Sequence, residues 1–254
     1  MTSTKETKKH TAPIQVQTLR KSFGKQKVLN GIDLQVAQGE TLSVLGQSGT
    51  GKSVLLKILI GLQPPDSGSV LIHGQEISGL SLEPLNEIRK KIGFLFQNSA
   101  LYDSMTVEQN VAFPLERHSD LSETQRKKRV RELLSTVGME KDLDKLPGQI
   151  SGGMQKRVGL ARALALSPDI LLFDEPTSGL DPMTASEIDE LILKMQKEEN
   201  MTSVVVTHDI SSARKVSDRL ALMRDGRILI EGTFKDLQES RDKFVVEFLN
   251  RDSF

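Results

Sequence analysis

The chain has 254 residues, which suits one large α/β domain with room for an inserted subdomain. Its 34 lysines and arginines balance 34 aspartates and glutamates, so the overall basic excess of a nucleic-acid binder is missing and no such partner is expected. It contains no cysteine, which excludes both a disulfide framework and a thiolate metal site.

Residues 1–12 are polar and lack the apolar centre of a secretory signal, so they read as a flexible tail. Ile32, Leu34 and Val36 alternate with polar residues, the period of a half-buried strand. Residues 41–45 form a short apolar run ending in a glycine-rich turn, and residues 53–60 read as a buried helix. Residues 70–72 and 92–96 look like further strands. From about residue 98 to 149 helical pattern replaces strand pattern, and residues 123–137 place Val130, Leu133, Leu134 and Val137 on one face. Strand character returns at residues 170–173, 203–207 and 220–223. Between the first two, a helix starting near Pro182 carries Ile188, Leu191, Ile192 and Met195 as a core-facing stripe. Apolar strands separated by helices predict a parallel sheet buried on both faces, with a helical insert. No apolar run approaches the roughly 20 residues of a membrane span, so any membrane role requires a partner chain.

Gly46-Gln47-Ser48-Gly49-Thr50-Gly51-Lys52-Ser53 matches G-x-x-x-x-G-K-[ST], with a strand before it and the buried helix after it, and these residues with Val54 are expected to bind the nucleotide. Such a loop turns successive N–H groups toward a polyphosphate at the positive end of a helix dipole. Lys52 would face the β- and γ-phosphates, and the Ser53 hydroxyl would ligate Mg²⁺. The strand at residues 170–173 ends in Asp174 and Glu175. Two acids there are costly to bury unless a cation or water meets them, and in an open parallel sheet that end is where ligands bind. Asp174 is expected to hold Mg²⁺ and Glu175 to act as general base toward the attacking water.

Ser151-Gly152-Gly153, followed by Gln155, Lys156 and Arg157, resembles the signature segment of ABC (ATP-binding cassette) ATPases. The family's other parts appear in order: an aromatic at Phe23, a Q-loop glutamine at Gln97, a D-loop at Ser178-Gly179-Leu180-Asp181, and a switch histidine at His208. The resemblance implies a P-loop NTPase core, mostly parallel with an N-terminal antiparallel part, spanning residues 13–240. It also implies a helical subdomain at about 98–167 and a C-terminal helical extension at 241–254. It further implies ATP and Mg²⁺ as ligands, Phe23 as adenine platform, Gln97 as a magnesium and catalytic group, and His208 at the γ-phosphate. In the family, the signature acts on ATP held by a second copy in a head-to-tail dimer. One departure is Met154, which stands where the family usually has glutamine.

The basic runs at residues 89–91 and 126–129 read as solvated faces. Residues 98–103, with Met105 and Phe113, are a candidate groove for a permease's coupling helix. Residues 96–107 and 110–115 resemble the Mla/Mce-associated group, which moves phospholipids or other hydrophobic cargo. That resemblance implies an integral-membrane permease, an Mce-type lipid-binding protein and a place on the cytoplasmic face of the inner membrane. A small-solute importer, for example of amino acids, is the alternative; a non-transport ABC protein or a P-loop kinase fits less well. Phe244, Val245, Phe248 and Leu249 form an apolar stripe that packs either on its own domain or on the second copy.

Overall fold

The computed structural model describes residues 12–250; most of the expected tail and the last four residues of the C-terminal extension lie outside that range. The chain opens with the hairpin β1 (Ile14–Phe23) and β2 (Gln26–Val36), then β3 (Thr41–Leu45), α1 (Lys52–Leu59), β4 (Ser67–Ile72), β5 (Gln75–Glu76), α2 (Leu82–Arg89) and β6 (Ile92–Leu95). Three helices follow: α3 (Val107–His118), α4 (Glu123–Thr136) and α5 (Gly152–Ala163). Then come β7 (Ile170–Asp174), α6 (Pro182–Glu199), β8 (Thr202–Thr207), α7 (Ile210–Val216), β9 (Arg219–Arg224), β10 (Arg227–Gly232), α8 (Phe234–Gln238) and α9 (Lys243–Leu249).

Two sheets result. The antiparallel one runs β2-β1-β4-β5, and the larger one β10-β9-β3-β8-β7-β6. In the larger sheet β9, β3, β8, β7 and β6 are parallel, whereas β10 returns antiparallel at the edge. Every residue of β3, β7 and β8 is buried, which explains why these strands are mostly apolar on both faces. Successive residues serve opposite faces. Ile170 and Leu172 of β7 join the core shared with α1 and the antiparallel sheet, while Leu171 and Phe173 join the core shared with α3, α4, α5 and α6.

The insert begins helix by helix at capping boxes. Thr106 accepts from the Gln109 N–H at 3.2 Å while the Gln109 side chain accepts from the Thr106 N–H at 2.8 Å; Ser122 and Gln125 repeat the pattern at α4. Val130, Leu133, Leu134 and Val137 are all buried, as their spacing predicts. Three basic residues of α4 are engaged within the protein: Lys127 pairs with Glu123 at 2.7 Å, Arg126 donates to the Leu121 carbonyl, and Arg129 donates to Leu164 and Ser167.

The C-terminal stripe packs on its own domain. Val245 and Phe248 are buried against Leu45, Ile210, Ala213 and Leu222, each burial contributing roughly 1.5–3 kcal/mol. Phe244 lies 4.2 Å from the Arg224 guanidinium. The last helix therefore supports both the end of β3 and the start of α7, the two elements that lead into and out of the site described next.

Candidate active site

Because β8 lies between β3 and β7, and β6 flanks β7, the loops leaving the C-terminal ends of these four strands are neighbours. Register places Val44 beside Val206 and Asp174 beside Val206, so the loops start at one level. The loop after β3 carries residues 46–51, that after β7 begins at Glu175, that after β8 holds His208, and that after β6 holds Gln97.

Lys52 is the first residue of α1 and its side chain is buried. Its Nζ donates to the carbonyls of Gly46 at 2.8 Å and Gln47 at 3.2 Å and lies 3.5 Å from Glu175 Oε1. Ser53 Oγ donates to Asp174 Oδ1 at 2.7 Å. The other Glu175 oxygen, Oε2, meets His208 Nδ1 at 2.8 Å and the His208 N–H at 3.3 Å. Glu175 itself adopts φ 49°, an uncommon left-handed conformation for a residue with a side chain. Its N–H donates to Val206 at 2.9 Å. The loop has no room for a side chain at Gly51, where φ is 104° and a Cβ would lie 2.8 Å from the Val28 carbonyl. Gly51→Ala is therefore expected to cost about 1–3 kcal/mol in strain, read as a lower Tm and weaker nucleotide binding in a titration; unchanged binding would show that the loop does not need this conformation.

The charges here depend on one another. Burial pushes the Lys52 ammonium's pKa down, opposed by the charge and hydrogen bond of Glu175 and the charge of Asp174. Burial likewise pushes the Asp174 carboxyl up, opposed by the Ser53 hydrogen bond, while the Glu175 charge adds to the rise. Removing one member of such a buried set leaves an uncompensated charge. Ser53 Oγ and Asp174 Oδ1 are adjacent hard oxygen donors, the type Mg²⁺ takes together with phosphate oxygens and water, so the residues present fit that ion.

The remaining predicted residues lie around this group. Phe23 ends β1 with its ring half exposed and 5.6 Å from the Lys21 ammonium. Gln97 is exposed; its main-chain carbonyl accepts from Lys156 Nζ. Val54 packs on the core behind the loop, and Gln47, Ser48 and Gly49 are exposed at its rim with Thr50 half-buried. Ser151 caps α5 by accepting from the Met154 N–H at 3.3 Å, so Gly152 and Gly153 open that helix. A Cβ on Gly153 would lie 2.3 Å from the Thr184 methyl, so the signature start sits directly on α6. Asp181 caps α6, accepting from the N–H groups of Met183 and Thr184 at 3.1 Å each, and the Thr184 hydrogen bonds hold its carboxyl below the usual range. Gln155 donates to the Pro147 carbonyl at 3.0 Å, and Met154 packs against the helical core. Among the described residues no hydrogen bond joins Ser151, Gly152, Gly153 or Asp181 to the group formed by Lys52, Ser53, Asp174, Glu175 and His208.

Two connections went unread in the sequence. Lys156 is buried and donates to Glu175 as well as to Gln97, partners 19 and 59 residues away. Asp189 of α6 accepts from Ser212 Oγ of α7 at 2.6 Å, and burial raises its carboxyl. Local pattern carries no signal for either pairing.

A sequence model of the ABC transporter family matches residues 29–178. Over 237 residues the chain is 44% identical to the probable ribonucleotide transport ATP-binding protein Mkl of Mycobacterium leprae, covering 93% of this chain and 68% of that one. It is 38% identical over 240 residues to MlaF of Haemophilus influenzae, an intermembrane phospholipid transport system ATP-binding protein, covering 94% and 91%. It is 44% identical over 230 residues to the methionine import ATP-binding protein MetN 2 of Enterococcus faecalis, covering 89% and 66%. The chain thus spans about two thirds of the length of the Mkl and MetN relatives. Among solved structures, the dimeric post-hydrolysis state of the ATP-binding cassette MJ0796 bound to ADP and Pi superposes with a TM-score of 0.81 at 36% identity, covering 87% of this chain and 98% of that one. On the family model's match and these relatives, the chain belongs to the ABC transporter family as one of its ATP-binding cassettes.

Proposed function

We propose that this chain hydrolyses ATP to ADP and phosphate and thereby drives a separate integral-membrane permease, working as a head-to-tail pair with a second copy of itself. The observation that carries the hydrolytic part is the Glu175 carboxylate, held between the Lys52 ammonium and the His208 imidazole at the mouth of the phosphate loop. Lys52 and the loop N–H groups hold the β- and γ-phosphates. Ser53 and Asp174, with Gln97 on a neighbouring loop, would hold the nucleotide's Mg²⁺, which when bound would neutralise charge on the phosphate oxygens. Glu175 accepts a proton from the attacking water as its oxygen bonds to the γ-phosphorus and the bond to ADP breaks. His208, on the loop after β8, meets the γ-phosphate beside Glu175. Phe23 stacks on the adenine, and Ser151, Gly152, Gly153 and Gln155 serve the ATP of the opposite copy, with Asp181 beside them.

Among the described residues no helix is long and apolar enough to cross a membrane, so this reading assigns the transport path to the permease. Its docking groove is the cleft of about 390 Å³ lined by Phe96, Tyr102, Phe113, Pro114 and Arg162, where the Tyr102 and Phe113 rings lie 4.9 Å apart. The cargo in this proposal is phospholipid or another hydrophobic molecule, handed over by an Mce-type protein, with the cassette on the cytoplasmic face of the inner membrane. Support comes from the residues 96–115 and from the likeness to MlaF. The likeness to MetN 2 supports small-solute import as the competing reading. Affinity purification of the tagged chain from detergent-solubilised membranes, followed by mass spectrometry of proteins and lipids, separates the two. A permease with an Mce-type protein and bound phospholipid is expected; a permease with a solute-binding protein and no lipid would move the cargo to small solutes.

A further inference from the structure

The fifth residue of α5 is a lysine where a helix packed against a sheet ordinarily places an apolar side chain. Lys156 is only 5% exposed. Its Nζ donates to the carbonyl of Gln97, at the exit of β6, and to the carbonyl of Glu175 at 3.1 Å. A buried ammonium is costly unless its hydrogen bonds are made, so these two contacts are what retain it. They are placed on the two peptides that matter most to the site. The Glu175 peptide sits at φ 49° and is fixed at both ends, its N–H by Val206 and its C=O by Lys156. A conformation of that kind persists only where its surroundings over-determine it. The same helix carries Ser151, Gly152 and Gly153 at its N-terminus, less than two turns before Lys156.

We propose that Lys156 is a positioning residue that ties the signature helix to the backbone of Glu175 and Gln97, so that the placement of the general base follows the placement of the signature. The proposal rests on Glu175 being that base. When α5 is drawn onto a nucleotide held by a second copy, the Glu175 peptide and the Q-loop move with it as one unit. When α5 is displaced, the carboxylate loses its alignment even though Lys52, Ser53 and Asp174 stay in place.

A double-mutant cycle on the full chain tests this. Lys156→Met keeps the length and apolar stem and removes both donors. Its kcat for ATP is expected to fall about 10²-fold, the usual consequence of a misplacement near 1 Å, while KM and the Kd for ATP stay within about threefold. Lys156→Arg, which restores N–H donors, is expected to recover most of the rate. In a Glu175→Gln background, single-turnover rates with Lys156→Met are expected to drop less than about threefold, because residues that act as a unit are not additive. An equal loss in both backgrounds, or an unchanged kcat in the wild-type background, overturns the proposal. Near-normal turnover by Glu175→Gln alone would instead remove the base assignment, whatever Lys156 does. Thermal melts accompany every variant, and if Lys156→Met does not fold, Lys156→Leu, which also lacks a donor, takes its place in the cycle.

Discussion

Lys52→Ala is expected to lose ATP binding altogether over any practical concentration range. The ammonium holds the Gly46 and Gln47 carbonyls and balances Glu175, and in the proposed mechanism it also holds the β- and γ-phosphates. Burial pushes its pKa down, and the charge and hydrogen bond of Glu175 and the charge of Asp174 oppose that shift. Truncating one partner of a buried, hydrogen-bonded charge pair in a binding site costs about 2–5 kcal/mol, which is roughly 30- to 4,000-fold in affinity at about 1.4 kcal/mol per decade. The triphosphate's own negative charge adds to that loss, since Asp174 and Glu175 would then face it without Lys52. Isothermal titration with Mg-ATP reads the result directly. Binding by Lys52→Ala as tight as wild type would sink the assignment of residues 46–53 as a phosphate cradle.

How much of this was readable from the chain depends on the range of the interaction. The phosphate loop is a local object: its glycines, lysine and serine are consecutive, and their spacing alone implies the geometry later seen at Gly51 and Lys52. The acid pair was legible because an unbroken apolar strand ends in two carboxylates. Strands β3, β7 and β8 were legible because both faces are buried. By contrast, α2 went unread because only Leu85 and Ile88 of its eight residues are buried, too few to set a period. The edge strand β10 was also unread; its residues alternate between exposed and half-buried, and its direction is fixed by pairing with β9 rather than by anything in its own sequence. The side on which α9 packs was left open, because an apolar stripe states that a helix must be covered and not by what; Leu45 and Ile210 supply the cover. Lys156 and Asp189 mark the same boundary, the first at the site and the second between α6 and α7. Each was visible as a residue, yet its partners are set by how β6, β7 and α7 lie in the fold.

Glu175→Gln separates binding from chemistry. Glutamine is nearly isosteric, and its amide oxygen still accepts from His208 Nδ1–H and the His208 N–H, so the hydrogen bonds that fix the side chain survive. What is lost is a site that takes a proton. A general base contributes about 10²- to 10⁴-fold, and steady-state turnover is expected to fall by that factor. Binding should move the other way. The substitution removes one of two buried negative charges beside the γ-phosphate position while Lys52 keeps its carbonyl partners, so Mg-ATP is expected to bind at least as tightly as to wild type. In the proposed head-to-tail pair, a cassette that holds ATP and cannot cleave it should then accumulate as the two-copy assembly, with the signature of each copy engaged with the ATP of the other. Size-exclusion chromatography with light scattering at saturating Mg-ATP measures this. A dimer peak in Glu175→Gln that is absent in wild type is the expected result. Turnover near wild type would place the base elsewhere, and a strictly monomeric profile would count against the shared-nucleotide arrangement while leaving Glu175 as the base.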